Sequence, residues 1–166
     1  MQRVIQLIVD NTSGVLSRIS GLFSRRGYNI ESITAGVTTD PRYTRITIVT
    51  SGDEDILEQI EKQVAKLIDV RDIKVLSPED SVMRELILIK VKVGSDRRPS
   101  LISICEVFRA NVIDISRESM IIELTGSQSK ITAFIEMVKE YEILELARTG
   151  SAGLRRGLDG VIYLDD

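Results

Sequence analysis

Hydrophobic positions along the chain switch between a two-residue and a helical period, and the switches come in the same order in both halves. Arg3 to Val9 is a β-rich run that stops at Asp10-Asn11-Thr12-Ser13-Gly14. Val15, Leu16, Ile19, Leu22 and Phe23 follow at the spacing of one helix face, with Arg18, Arg25 and Arg26 off it. Thr12 or Ser13 suits the start of this helix as a cap, and Gly27 suits the left-handed position after its end. Gly21, between Ile19 and Leu22, is the kind of small residue that permits close helix packing. Tyr28 to Val37 reads as a strand, Asp40-Pro41 as a turn, and Tyr43 to Thr50 as a second strand rich in Thr, Ile and Val. Asp53-Glu54-Asp55 opens another helix with acids at its positive end, its expected buried face being Ile56, Leu57, Ile60, Val64, Leu67 and Ile68. Val70 to Leu76 closes a βαββαβ unit.

The polar stretch Leu76-Ser77-Pro78-Glu79-Asp80-Ser81 separates the halves. Beyond it Ile87, Ile89, Val91 and Val93 alternate with Lys90 and Lys92. A helix is expected from Arg98 to Ala110, with Leu101, Ile104, Cys105 and Phe108 inward. Strands follow from Asn111 to Ser116 and Ser119 to Thr125, then a helix carrying Ile131, Phe134, Ile135 and Val138, and a last strand from Glu142 to Arg148. The fold class is therefore α+β, with two tandem ferredoxin-like βαββαβ modules over residues 1–77 and 82–150. Residues 151–166 are Gly-rich, carry Arg155-Arg156 and show no period. A module of this size buries little core alone and leaves edge strands to cover, so a homodimer or higher oligomer is expected.

Composition narrows the chemistry. The 166 residues include no His and one cysteine, Cys105. This excludes a Ser-His-Asp triad, a Cys-His dyad, a His/Cys zinc site and an intramolecular disulfide. Cys105 lies on an apolar helix face and reads as a core residue. The net charge of −3 argues against a nucleic-acid partner, which asks for a basic face. No charged stretch leading into an apolar run opens the chain, and no run of about 18 apolar residues occurs, so a cytoplasmic protein without a membrane span is expected. No catalytic or metal-binding residues are expected.

The most informative segment is the loop Asp10-Asn11-Thr12-Ser13-Gly14-Val15-Leu16. A helix start offers unpaired N–H groups and partial positive charge, which suits a carboxylate. Gly14 lets a ligand approach the backbone, and the Asn11 amide has an acceptor for an ammonium group and a donor for a carboxylate. Those are the needs of a free amino acid; helix capping alone is the bland reading of the same residues.

Asn11-x-x-Gly14-Val15-Leu16, with Asn29-Ile30 at the start of the next strand, resembles the ACT domain, a small-molecule-binding regulatory module. The longer string from Asn11 through Ile19, and from Gly21 through Ser32, is similar to the regulatory (small) subunit of acetohydroxyacid synthase, also called acetolactate synthase. The likeness continues through Leu57 to Gln63, the second module, Leu146-Ala147-Arg148-Thr149-Gly150 and Arg156-Gly157.

That resemblance implies a non-catalytic partner of a thiamine-diphosphate enzyme of valine, leucine and isoleucine biosynthesis. The small subunit would raise the activity of the catalytic (large) subunit and make it sensitive to valine. No cofactor is implied in this chain; thiamine diphosphate, Mg and FAD would sit on the partner. In relatives the effector lies between two ACT domains paired side by side. One chain would supply Asn11, Gly14, Val15 and Leu16, and the other Asn29 and Ile30. Serine-binding ACT domains resemble this loop but carry a His two residues before the Asn; Val9 stands there, which suits an aliphatic effector. A stand-alone amino-acid sensor remains the alternative of another class. An acylphosphatase-like enzyme matches poorly, and an RNA binder would need aromatics on an open sheet face.

Overall fold

A computed structural model describes residues 1–158 and 161. Twelve elements run in the order β1 (Gln2–Asp10), α1 (Val15–Arg26), β2 (Asn29–Val37), β3 (Tyr43–Ser51), α2 (Glu54–Val64), β4 (Val70–Leu76), β5 (Ser81–Lys92), α3 (Arg98–Phe108), β6 (Asn111–Ile115), β7 (Ser119–Gly126), α4 (Gln128–Val138) and β8 (Glu142–Arg155). They form two four-stranded sheets, β2-β3-β1-β4 and β6-β7-β5-β8. The two orders are the same once the elements are renumbered, so the repeat read from hydrophobic spacing is a repeat of topology. The chain divides into two compact units, Met1–Val82 with the segment from Ser151, and Met83–Gly150.

In the first unit, Ile5, Leu7 and Val9 on β1 and Ile46 and Ile48 on β3 meet Ile19 and Phe23 of α1 and Leu57 and Ile60 of α2. The alternation of β1 turns every second side chain toward the helices, and the helical period turns one stripe back. In the second unit Ile87, Ile89 and Val91 of β5 pack with Leu101, Cys105, Ile131 and Phe134. Cys105 is buried, and desolvation pushes its thiol up to about 11. It is a packed core residue.

Three helix ends show their local chemistry clearly, and the start of α1 departs from it. Asp53 caps α2 by accepting from the Ile56 N–H at 2.9 Å, and Ser127 caps α4 through the Lys130 N–H. Gly27 ends α1 at φ 68°, while the Tyr28 N–H donates to the Phe23 carbonyl at 2.9 Å. The α1 start differs from the expectation: neither Thr12 nor Ser13 caps it. Gly14 occupies the N-cap position at φ 84°, with no side-chain hydrogen bond.

Three further expectations are corrected. Ile68 is 88% exposed, because α2 ends at Val64 and Ile68 falls in the turn before β4. Gly21 makes no close packing contact, since a Cβ built there meets nothing within 4 Å. Gly21→Ala is therefore expected to raise stability by about 0.5–1 kcal/mol, the gain from restricting the unfolded chain inside a helix. Urea midpoints of the two proteins test it, and an unchanged or lower midpoint would contradict open space at that site.

The last strand does not stop at Arg148. β8 runs on to Arg155, so Ser151–Arg155 is strand where a non-periodic Gly-rich tail was expected; 159, 160 and 162–166 lie outside the described residues. Its end is tied to the Ser77–Ser81 segment through Asp80. That carboxylate accepts from the Ser81 hydroxyl at 2.7 Å, the Ser77 hydroxyl at 2.8 Å and Arg155 Nε at 3.2 Å. The Arg156 N–H donates to the Asp80 carbonyl at 2.7 Å. The two serine hydroxyls, with the Ser77 N–H and Arg155 adding to them, hold the Asp80 carboxyl down at about 2. A carboxylate held below its unfolded value stabilises the fold above about pH 4 and loses that contribution as pH falls toward its folded value. Asp80→Asn should flatten the decline of the urea midpoint between about pH 4 and pH 2; an unaltered decline would place the acid sensitivity elsewhere.

Candidate functional site

The loop between β1 and α1 is built by short hydrogen bonds to its neighbours. The Asn11 N–H donates to the Arg42 carbonyl at 2.7 Å, and Asn11 Nδ2 donates to the Pro41 carbonyl at 2.8 Å. The Thr44 hydroxyl donates to Asn11 Oδ1 at 3.2 Å. These three bonds lock the loop to the Asp40–Arg42 turn and the start of β3 and fix which way the Asn11 amide points. Among the described residues, one amide hydrogen and one lone pair stay open to a ligand.

The other side of the loop is braced by ion pairs. Arg71 grips Asp10 at 2.7 and 2.8 Å, and Arg18 grips Asp69 at 2.6 and 3.0 Å. The hydrogen bonds from Arg18 pull the Asp69 carboxyl below its ordinary value, and Asp69 raises Arg18 in turn. The Asp69 carbonyl accepts from the Asp10 N–H at 2.9 Å. The third guanidinium nitrogen of Arg18, Nη1, lies 2.9 Å from where a Cβ on Gly14 would sit.

Inside this frame is a cleft of about 190 Å³, lined by Val9, Asp10, Asn11, Thr12, Val15, Leu16, Ala35, Thr44 and Ile46. Its floor is aliphatic (Val9, Ala35, Ile46), and Val15 and Leu16 are the first two residues of α1. The volume is below the about 300–1,000 Å³ of drug-sized pockets, so it suits a small metabolite. The first N–H groups of any α-helix have no partner within the helix. Among the described residues, no side chain caps α1 and no acid stands in its first turn. The positive helix end is thus left uncompensated at the mouth of the cleft.

Of the residues expected to bind, the chain brings Asn11, Val15 and Leu16 onto this cleft and puts Gly14 at the adjoining helix start. Leu16, expected on the core face, is 48% exposed, because the first turn of α1 overhangs the end of the sheet. Asn29 and Ile30 are elsewhere. Asn29 pairs with Ser51, at the end of the sheet remote from Asn11, and Ala35 lies six residue steps, about 20 Å, further along the strand. Ala35, Thr44 and Ile46 had not been singled out as cleft residues. They join the site only through strand register, with Val9 opposite Thr44 and Ile46 opposite Ala35.

A βαββαβ unit whose first strand–helix loop ends in a left-handed glycine above a small aliphatic cleft is an ACT-type regulatory module. Residues 5–72 match the family model described as an AHAS small subunit-like ACT domain, and residues 84–157 that of the small subunit of acetolactate synthase. The acetolactate synthase small subunit of Bacillus subtilis is 47% identical over 95% of this chain and 92% of its own length. A probable acetolactate synthase small subunit of Archaeoglobus fulgidus is 45% identical over 95% of this chain and 98% of its own. The crystal structure of the acetolactate synthase small subunit from Thermotoga maritima superposes with a TM-score of 0.86 at 39% identity, covering 95% of this chain and 99% of that one. The chain belongs to the family of acetolactate synthase small subunits, which supports a regulatory role in that enzyme.

Proposed function

We propose that this chain activates the catalytic subunit of acetolactate synthase in the cytoplasm and makes it sensitive to valine, bound where two copies of the first unit meet. The reading rests above all on the uncapped α1 start over a small aliphatic cleft. The helix N–H groups would take the valine carboxylate, Asn11 and its neighbours the ammonium group, and Val9, Ala35 and Ile46 the branched side chain. Discrimination among branched-chain amino acids would be modest, since one methylene is worth about 1–3 kcal/mol.

Strand geometry supports a shared site. β2 stands at the edge of its sheet, and an edge strand is a template for pairing with another chain. A two-fold antiparallel pairing of β2 with its copy, centred on Ser32, sets Asn29 of the second copy opposite Ala35; centred on Ile33, it sets it opposite Val37. Asn29 and Ile30, remote from the cleft within one chain, would then close the cleft of the other. Thiamine diphosphate, Mg and FAD would belong to the catalytic partner, and this chain would act on them only through the contact between subunits. For a 5- to 150-fold effect, valine must favour one state of the complex by about 1–3 kcal/mol.

Thermal unfolding of the chain titrated with valine, leucine, isoleucine and serine tests this. A ligand that binds only the folded state stabilises by about 2.7 kcal/mol at a hundredfold excess over its dissociation constant. Valine should raise the midpoint and serine should not. Absence of a shift both in the chain alone and in its complex with a catalytic subunit would overturn the assignment. Activation of a co-purified catalytic subunit separates this reading from a stand-alone sensor.

A further inference from the structure

The polarity of the cleft wall is set by one acceptor, the Pro41 carbonyl. A carbonyl oxygen can only accept, and the Asn11 amide approaches it at 2.8 Å, so the nitrogen Nδ2 must face Pro41. Turning the amide over would set Oδ1 against another oxygen. Oδ1 is thereby directed to Thr44, whose hydroxyl lies 3.2 Å away. An amide oxygen has no hydrogen, so the Thr44 hydroxyl has to supply it. A hydroxyl carries one hydrogen and two lone pairs. With that hydrogen committed to Asn11, Thr44 Oγ1 meets any further partner as an acceptor only.

Strand register brings this hydroxyl to the cleft. Thr44 lies opposite Val9 on β1 and Val37 on β2, and two residues along the same face of β3 Ile46 lies opposite Leu7 and Ala35. Asn11 and Thr44 both line the cleft, beside the aliphatic Val9, Ala35 and Ile46. The wall thus carries two neighbouring oxygens with no hydrogen of their own to give, Asn11 Oδ1 with one lone pair left and Thr44 Oγ1 with two. Asp10 lines the cleft as well, but Arg71 holds both its oxygens at 2.7 and 2.8 Å. Such a pair of acceptors repels a carboxylate or a carbonyl and fits a group with several N–H donors.

We propose that Thr44 is a ligand-contacting residue of this cleft, accepting from the ammonium group of the effector together with Asn11 Oδ1. The inference rests on the reading of the cleft as an amino-acid site, and it narrows the class of ligand. An α-ammonium group can donate to both oxygens at once. A 2-hydroxy acid of the same skeleton has one hydrogen to give and no charge there, and a 2-oxo acid has none. The site would therefore read an amino acid and pass over the oxo acid that becomes it on amination, although the two share their carboxylate and branched chain.

The test is calorimetric titration of the full chain, alone and with a catalytic subunit, with L-valine and with 2-hydroxy-3-methylbutanoate. The parent should bind valine about tenfold or more above the hydroxy acid, since hydrogen bonds to a charged group are the stronger ones. Thr44→Val keeps a branched side chain on the strand and removes the oxygen, whereas Thr44→Ser keeps the oxygen. Thr44→Val should weaken valine about 10- to 100-fold and the hydroxy acid less than about threefold, and Thr44→Ser should hold valine within about threefold of the parent. Equal losses for the two ligands, or equal losses in the two variants, would overturn the proposal by reducing Thr44 to a filler of the wall. So would a parent that binds both ligands alike. Unchanged valine affinity in Thr44→Val would overturn it while leaving the amino-acid reading in place; a parent that binds no valine, alone or in the complex, would remove both. Because the readout is a ratio between two ligands, a general loosening of the variant would not imitate the expected result.

Discussion

Gly14→Asp is expected to abolish the valine-dependent rise in melting temperature proposed for this chain while leaving the unliganded midpoint close to that of the parent. Gly14 adopts φ 84°, a conformation that costs most L residues about 1–2 kcal/mol but that Asp and Asn tolerate better. A Cβ there would sit 2.9 Å from Arg18 Nη1, the movable end of a flexible side chain that an aspartate would attract. The new carboxylate would also stand at the uncapped start of α1, where it satisfies the helix N–H groups and opposes the carboxylate of valine. Losing hydrogen bonds to a charged group costs about 2–3 kcal/mol, or about 30- to 150-fold in affinity. Gly14→Ala separates charge from shape: it should lower the unliganded midpoint through backbone strain yet keep part of the valine response. Calorimetric titration of both variants decides the matter, and full valine affinity in Gly14→Asp would remove this loop from the site.

Phe134→Ala should cost about 3–5 kcal/mol, the largest loss expected from any single truncation in the second unit. Its side chain is fully buried on α4 and meets Phe108 edge-on, with ring centroids 5.3 Å apart and planes at 71°. Truncation removes both the transfer term and the aromatic contact, and it leaves a cavity between α4 and the sheet that Ile89 and Ile122 on regular strands cannot collapse to fill. Against a total stability of about 5–15 kcal/mol, this is a large share. Urea unfolding gives the answer directly, with a lower midpoint at unchanged slope expected. A loss under about 1 kcal/mol would mean that Phe134 is not the keystone of this core.

The two predictions draw on different kinds of legibility. Phe134 could be placed in the core from its helical spacing with Ile131 and Val138, because one buried stripe per helix is a local consequence of 3.6 residues per turn. Gly14 stood out as a loop glycine before a helix, but the chain alone suggested that Thr12 or Ser13 would cap that helix. Only the folded loop shows the opposite. Asn11 is drawn away to Pro41 and Thr44, Arg18 to Asp69, and the helix start is left open.

Periodicity likewise carried the order of all twelve elements, the βαββαβ repeat and most of both cores, since alternation and helical spacing are set residue by residue. It failed where a residue's fate depends on what lies beyond its own element. Ile68 follows the helical pattern but falls past the end of α2, Leu16 overhangs the sheet, and Ser151–Arg155 become strand although nothing in their letters alternates. Ala35, Thr44 and Ile46 meet Val9 through strand register, a relation between segments far apart in the chain. By itself, then, the sequence determined the elements, the repeat and the loop proposed to carry the effector chemistry, because those depend on near neighbours. Tertiary structure alone decided the walls of the cleft, the free helix end and the distance that sets Asn29 apart from its own loop, because each is a product of long-range pairing.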